Sequence, residues 1–335
     1  MLTIFQSLLP YYGCKRKLAQ VIFGIINRYL PREKWQGLAF VDAFMGSCAM
    51  GLYAKSQGLR IIGNDIAERS FIAGKALIEN NGTLLTDADI HRLFIPRGEN
   101  KHLIEKKFMP DVFLKRHAQF LDNAFVNAAR PLDKYLLIKY IFHIRPYSKF
   151  SSPNAFNKPM AEGRFDEIKH SYLKHIKDNF KTPLSILKNE MEQVNQGIFS
   201  NGLKNEVYKM DVFDFIKQVS GDVLYLDPPY SGTLSYEGEY KVIDEILGDV
   251  NTKSGFSKRD GMDMVDGLLK ESEKFPLWVI SFGNANGKND LSKLVDIVSQ
   301  YRKCEAREFE YEHCRSMATK EHKQQCREWL VIAWK

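Results

Sequence analysis

Apolar positions change their period along this chain, and the changes divide it into elements. Leu18, Val21, Ile22, Ile25, Ile26 and Tyr29 recur on one helical face until Pro31 ends the run. Two short, continuous apolar segments follow, GLAFVDAF (37–44) and LRIIGNDI (59–66), and they predict buried strands. Between them GSCAMGLYAKSQG reads as a small-residue turn entering a helix. Strand, glycine turn, helix and strand make a βαβ unit, and such a crossover dictates parallel strands. From about Leu84 to Asn201 nothing predicts a strand. Helical patterns such as DVFLKRHAQFLDNAF and LDKYLLIKYIFHI are interrupted there by HIRPYSKFSSPNAFNKPMAEGRF, a polar loop rich in Asn, Ser, Pro and aromatic residues. After Asn201 the alternation resumes with EVYKMDVFDFI, the strand VLYLD and a polar loop from Ser231 to about Asp260. A helix MDMVDGLLKESEKF, the strand PLWVISF, a helix LSKLVDIVSQY and two strand-like segments, AREFEYEH and CREWLVIAW, complete the chain. The expected fold class is α/β, with a sheet built from residues 1–84 and 202–335 and a mainly helical insertion at 85–201.

Composition narrows the class. With 335 residues, 44% of them apolar and 27% charged, the chain has the makeup of a globular protein with a large core. No apolar run reaches membrane-spanning length, and MLTIFQSLLPYYGCKRK lacks the layout of a signal peptide. Cys14, Cys48, Cys304, Cys314 and Cys326 are scattered and odd in number, which argues for a reducing, cytoplasmic setting. These cysteines, with His313 and His322, contain no tight C-x-x-C or H-x-x-x-H pair, so no metal is expected. His143 and His170 lie on helical patterns and read as packing or surface residues. Net charge is +7, yet sixteen Lys or Arg against eight Asp or Glu lie between Lys101 and Lys181. That local surplus of eight fits a surface facing a polyanion, or simply a solvated helical face.

The candidate chemistry lies at strand ends. In DAFMGSCAMG a small-residue turn between a strand and a helix lets a ligand approach the backbone and the helix N-terminus, although Gly46 alone serves close packing equally well. Asp65, at the end of the next strand, is placed to accept both hydroxyls of a ribose. In GDVLYLDPPYSG, Asp227 ends a buried strand, and two prolines fix the following backbone and leave carbonyls unpaired with any ladder. A carboxylate beside a fixed carbonyl suits an amino group with two hydrogens, and Tyr230 adds a flat face for a planar ring. Together they describe a pocket for an aromatic exocyclic amine such as adenine N6. A plain Pro-Pro turn after a buried strand is the bland alternative.

At these residues the chain resembles the Dam-like (D12 class, α-group) DNA adenine N6-methyltransferases. PYYGCKRKL (10–18) is similar to the family's aromatic-x-G-G-K segment, VDAFMGSCAM to its F-x-G-x-G cofactor loop, and Asp227 to Tyr230 to its catalytic motif, in the α-group order. The resemblance implies a Rossmann-like methyltransferase sheet with an inserted target recognition domain. It implies S-adenosylmethionine as methyl donor, with S-adenosylhomocysteine as product, bound by Tyr11, Gly13, Lys15, Asp42, Phe44, Gly46, Asp65, Asp211 and Val212. It implies catalysis by Asp227, Pro228, Pro229 and Tyr230 on an adenine flipped out of double-stranded DNA. AFNKPMAEGRF (155–165) resembles the family's recognition segment, so Asn157, Pro159, Arg164 and Phe165 are expected to approach DNA, with Lys149 on phosphate. Ser281 and Phe282, ending the next strand, either line the target pocket or simply terminate the strand. A restriction endonuclease partner is compatible with the resemblance, as are service to a mobile element and regulation of the host.

Three departures accompany the match. Cys14 and Cys48 stand where the family has the second glycine of each cofactor segment, which narrows backbone freedom. The loop from Tyr147 to Asn157 is shorter than the family's and has no counterpart of its base-reading arginine, so GATC specificity does not carry over. The segment from Ser231 to Asp260 has no family counterpart. Two other functions stay open at this point: methylation of an RNA base amine, and DNA binding by a relative that has lost cofactor affinity.

Overall fold

A computed structural model describes residues 2–11, 13–97, 101–144, 181–229, 236–249, 256, 261–283, 290–310 and 327–335. Its framework is a seven-stranded sheet made of β1 (Ala39–Asp42), β2 (Arg60–Asn64), β3 (Glu206–Tyr208), β4 (Val223–Leu226), β5 (Leu277–Gly283), β6 (Lys303–Glu310) and β7 (Arg327–Trp334), in the order β3-β2-β1-β4-β5-β7-β6. Strands β3, β2, β1, β4 and β5 pair in parallel, and β7 runs antiparallel to both β5 and β6. Every residue of β1, β4 and β5 is buried, as expected for parallel strands covered on both faces.

The two faces follow from the period of two. Phe40, Tyr225, Val279 and Ile332 point to one apolar cluster, whereas Val41, Leu224, Ile280 and Val331 point to the other. Helices α1 (Ala19–Tyr29), α2 (Ala49–Ser56) and α3 (Glu68–Gly74) pack on the first face. Next in the chain come α4 (Asp87–Leu93), α5 (Leu103–Phe108), α6 (Lys115–Asn127), α7 (Pro131–Ile144) and α8 (Pro183–Asn195), and their apolar sides join the same cluster. Among the described residues, 85–201 contain no strand, in line with the helical pattern. The second face carries α9 (Val212–Gln218), α11 (Gly261–Glu271) and α12 (Leu291–Ser299).

Two expectations need correction. The stretch from Ser231 to Asp260 is not a loop throughout, because Tyr236–Leu247 form a helix, α10. Tyr240 and Ile243, three residues apart, bury against the first cluster, and that pair stabilises a segment whose composition is otherwise polar. Strand β6 also begins at Lys303, three residues before the expected Ala306, because the ladder with β7 extends from Lys303↔Trp334. Among the described residues no helix is long and apolar enough to cross a membrane.

Candidate active site

The carboxyl ends of β1, β2 and β4 open into one cleft, of about 1160 Å³ when measured out into its mouth. Its floor is the turn after β1. Gly46 takes a left-handed backbone at φ 50°, and a Cβ added there would lie 3.3 Å from Tyr11 Cε1, so the position favours glycine twice over. The Gly46 N–H donates to Asp65 Oδ2 at 2.8 Å and the Ala67 N–H to Asp65 Oδ1 at 2.9 Å. Burial raises the Asp65 pKa, opposed by the Ala67 N–H, the Arg69 charge and the Gly46 N–H.

Asp42, the last residue of β1, is buried, and its Oδ2 accepts the Gly51 N–H at 3.2 Å. Its pKa is held up to about 8, first by burial and then by the negative charge of Asp227, against the Gly51 N–H. The departure at Cys48 has a structural answer. Cys48 caps α2 at φ 66°, ψ 15°, keeping a glycine-like backbone despite its side chain, while Cys14 sits at φ −56° beside Gly13 at φ 71°. The turn geometry is retained at the cost of one left-handed cysteine.

Lys15 is 3% exposed and reaches the end of β4. Its Nζ donates to Asp227 Oδ1 at 2.9 Å and to the Gly13 carbonyl at 3.3 Å, and lies 3.0 Å from Glu328 Oε1. At the opposite end, Phe44 meets Phe256 edge-on with centroids 5.2 Å apart, and Val212 opens α9, which Asp211 caps by accepting the Phe213 N–H at 2.9 Å. A lip is formed by α10: Tyr240 stacks on Tyr11 with centroids 4.8 Å apart, and the Arg69 guanidinium lies over Tyr240 while pairing with Asp244.

The structure therefore places Tyr11, Gly13, Lys15, Asp42, Phe44, Gly46, Asp65, Asp211, Val212, Asp227 and Pro229 on the lining of a single cleft. Pro228 is buried and is not part of that lining. Ser281 and Phe282 are not on that lining: both are buried, Phe282 in the second cluster, and the Ser281 hydroxyl donates to Glu328 Oε1 at 2.8 Å. Tyr230, Lys149, Asn157, Pro159, Arg164 and Phe165 lie outside the described residues, as do His170, His313, Cys314, His322 and Cys326.

Several lining residues escaped the sequence reading. Asn64 joins three strand ends, its Nδ2 donating to the Ala43 and Met210 carbonyls and its Oδ1 accepting the Met210 N–H; its place beside Asp65 was the available signal. Arg69 and Asp244, 175 positions apart, carried no local signal.

A family model described as D12 class N6 adenine-specific DNA methyltransferase matches residues 11–283. Type II methyltransferase M2.HphI of Haemophilus parahaemolyticus is 25% identical over 343 aligned positions, 96% of this chain and 96% of that protein. Type II methyltransferase M.NlaIII of Neisseria lactamica is 23% identical, covering 90% of this chain and 91% of its own length. Modification methylase StsI of Streptococcus sanguinis matches 78% of this chain at 24% identity, with 34% of its own length. With a match that runs from the Tyr11 segment to the end of β5, the chain belongs to the D12 class of N6 adenine-specific DNA methyltransferases.

Proposed function

We propose that the cleft binds S-adenosylmethionine and presents its methyl group to the N6 of an adenine held at Asp227. One observation carries this reading: Asp227 and Asp65, at the ends of β4 and β2, open into the same cleft on either side of the Gly46 turn.

The donor set fits that cofactor. Each Asp65 oxygen accepts one backbone N–H and keeps a further acceptor site, enough for the two hydroxyls of a ribose. Asp42 is a buried carboxyl whose ionisation a nearby cation would favour, and it suits the positive end of the molecule. Phe44, Val212 and Phe256 offer an apolar slot for a purine, with Asp211 as acceptor at its edge. Tyr11, Gly13 and Lys15 border the opposite end. When bound, S-adenosylmethionine supplies an electrophilic methyl group and leaves as S-adenosylhomocysteine.

The chain's own contribution is alignment and charge. Lys15 fixes Asp227 Oδ1, so the carboxylate is oriented to accept a hydrogen of the target amine, with the Pro228 carbonyl as second acceptor. Holding both hydrogens turns the nitrogen lone pair toward the cofactor and stabilises the charge gained in transfer. Pro229 locks the backbone, and Tyr230 stacks on an adenine swung out of the duplex, a displacement that costs a few kcal/mol. We assign 1–84 and 202–335 to catalysis and 85–201 to target recognition. The positive surplus at 101–181, Lys149 included, faces phosphate, with Asn157, Pro159, Arg164 and Phe165 approaching the DNA. A cytoplasmic location and a restriction endonuclease partner accord with this role.

Calorimetry with S-adenosylmethionine tests the cofactor: saturable binding is expected, and none at millimolar concentration contradicts it. Sequencing DNA from an expressing, methylation-free host, with detection of modified adenine, gives the recognised site.

A further inference from the structure

Glu328 is a buried acid at the catalytic edge, and its position follows from topology. The five parallel strands end on the edge of the sheet where the cleft opens, but β7 is antiparallel, so its first residues arrive at that edge. Glu328 is its second residue, paired in the ladder with Gly283 at the end of β5. Although 1% exposed, it faces inward with Oε1 3.0 Å from Lys15 Nζ and 2.8 Å from the Ser281 hydroxyl. Lys15 Nζ in turn lies 2.9 Å from Asp227 Oδ1. One ammonium is thus shared by two carboxylates from different strands.

Sharing changes how Asp227 is held. Glu328 brings a second carboxylate to the one ammonium that reaches Asp227 Oδ1. Burying a second acid is costly, and a purely structural Lys15 needs only one partner. Glu328 holds Lys15 Nζ at 3.0 Å while the same ammonium holds Asp227 Oδ1 at 2.9 Å, so the buried acid fixes the group that fixes the catalytic carboxylate. Ser281 fixes the Glu328 oxygen that does this.

We propose that Glu328 is a positioning residue for the methyl transfer: through Lys15 it orients Asp227. This rests on the reading of Asp227 as acceptor of the target amine.

The test compares single-turnover rates with cofactor and DNA affinities in the full chain. Glu328→Gln keeps the shape and removes the charge, and a rate loss of about tenfold to hundredfold is expected, the range typical of groups that orient a functional residue. Dissociation constants for S-adenosylmethionine and duplex DNA should stay within about threefold of wild type. Glu328→Asp restores the charge with shorter reach and should fall between the two. If Glu328→Gln does not fold, Ser281→Ala takes its place, with a rate loss of about threefold to tenfold expected from the loosened carboxylate. A wild-type rate in either variant, or rate and both affinities falling together, overturns the proposal. Asp227→Ala separates the two levels: if it is inactive while Glu328→Gln is fully active, only the role of Glu328 fails, whereas an active Asp227→Ala removes the underlying reading.

Discussion

Tyr240 stacks on Tyr11 with ring centroids 4.8 Å apart and planes within 16° of parallel, which joins α10 to the segment that borders the cleft. Arg69 strengthens the joint, its guanidinium 4.4 Å from the Tyr240 centroid and paired with Asp244 of the same helix. A stacked pair contributes about 0.5–1.5 kcal/mol beyond burial, and a partly desolvated cation over a ring adds a similar amount. Tyr240→Ala is therefore expected to weaken S-adenosylmethionine binding about tenfold while the rate at saturating cofactor changes much less. Titration calorimetry and single-turnover kinetics check this, and unchanged affinity would remove α10 from the cofactor site.

Asp42 makes cofactor binding pH-dependent. With its pKa near 8, the carboxyl is largely protonated at pH 7 in the free protein, and a bound cation favours its ionised form. Binding should release a fraction of a proton at pH 7 and tighten as pH rises toward about 8. Calorimetry in buffers of different ionisation enthalpy reads the release, which Asp42→Asn should abolish.

The same carboxyl sets a stability trend in the ligand-free protein. Its folded pKa lies above the unfolded value of 3.8, so the native state holds a proton that the unfolded chain gives up. Its contribution is intact below about pH 4 and is lost progressively as pH rises to about 8. Melting temperature should fall over that window by more in wild type than in Asp42→Asn; parallel curves would contradict it.

Cys48 carries a prediction in two directions. Glycine relieves a left-handed strain of about 1–2 kcal/mol but adds chain entropy and loses buried apolar contact, so Cys48→Gly should lie within about 1 kcal/mol of wild type. Valine puts a branched side chain into the same left-handed, fully buried position, and Cys48→Val should lose about 2–3 kcal/mol in urea unfolding.

Much of the fold was legible because parallel strands buried on both faces leave continuous apolar runs, as in β1, β4 and β5, and because glycine turns at their ends punctuate the pattern. The candidate site was legible where its residues sit at strand ends, since Asp65 and Asp227 needed only the rule that such ends face a ligand, whereas Asp42 came with the family resemblance. What escaped is long-range. The pairing of Arg69 with Asp244 and the meeting of Lys15 with Glu328 depend on chain reversals that leave no local period. The partner of Ser281 was hidden for the same reason: its hydroxyl is drawn to an acid on a neighbouring strand 47 positions later.

The most direct measurement is the fate of a labelled methyl group. Purified protein is incubated with duplex DNA and methyl-labelled S-adenosylmethionine, and the DNA is digested to nucleosides, for wild type and for Asp227→Ala. Label is expected in N6-methyladenine with wild type alone, with Asp227→Ala still retained on DNA. Label in another nucleoside, transfer to RNA but not DNA, or full activity in Asp227→Ala would contradict the assignment of Asp227 as the group that holds the target amine.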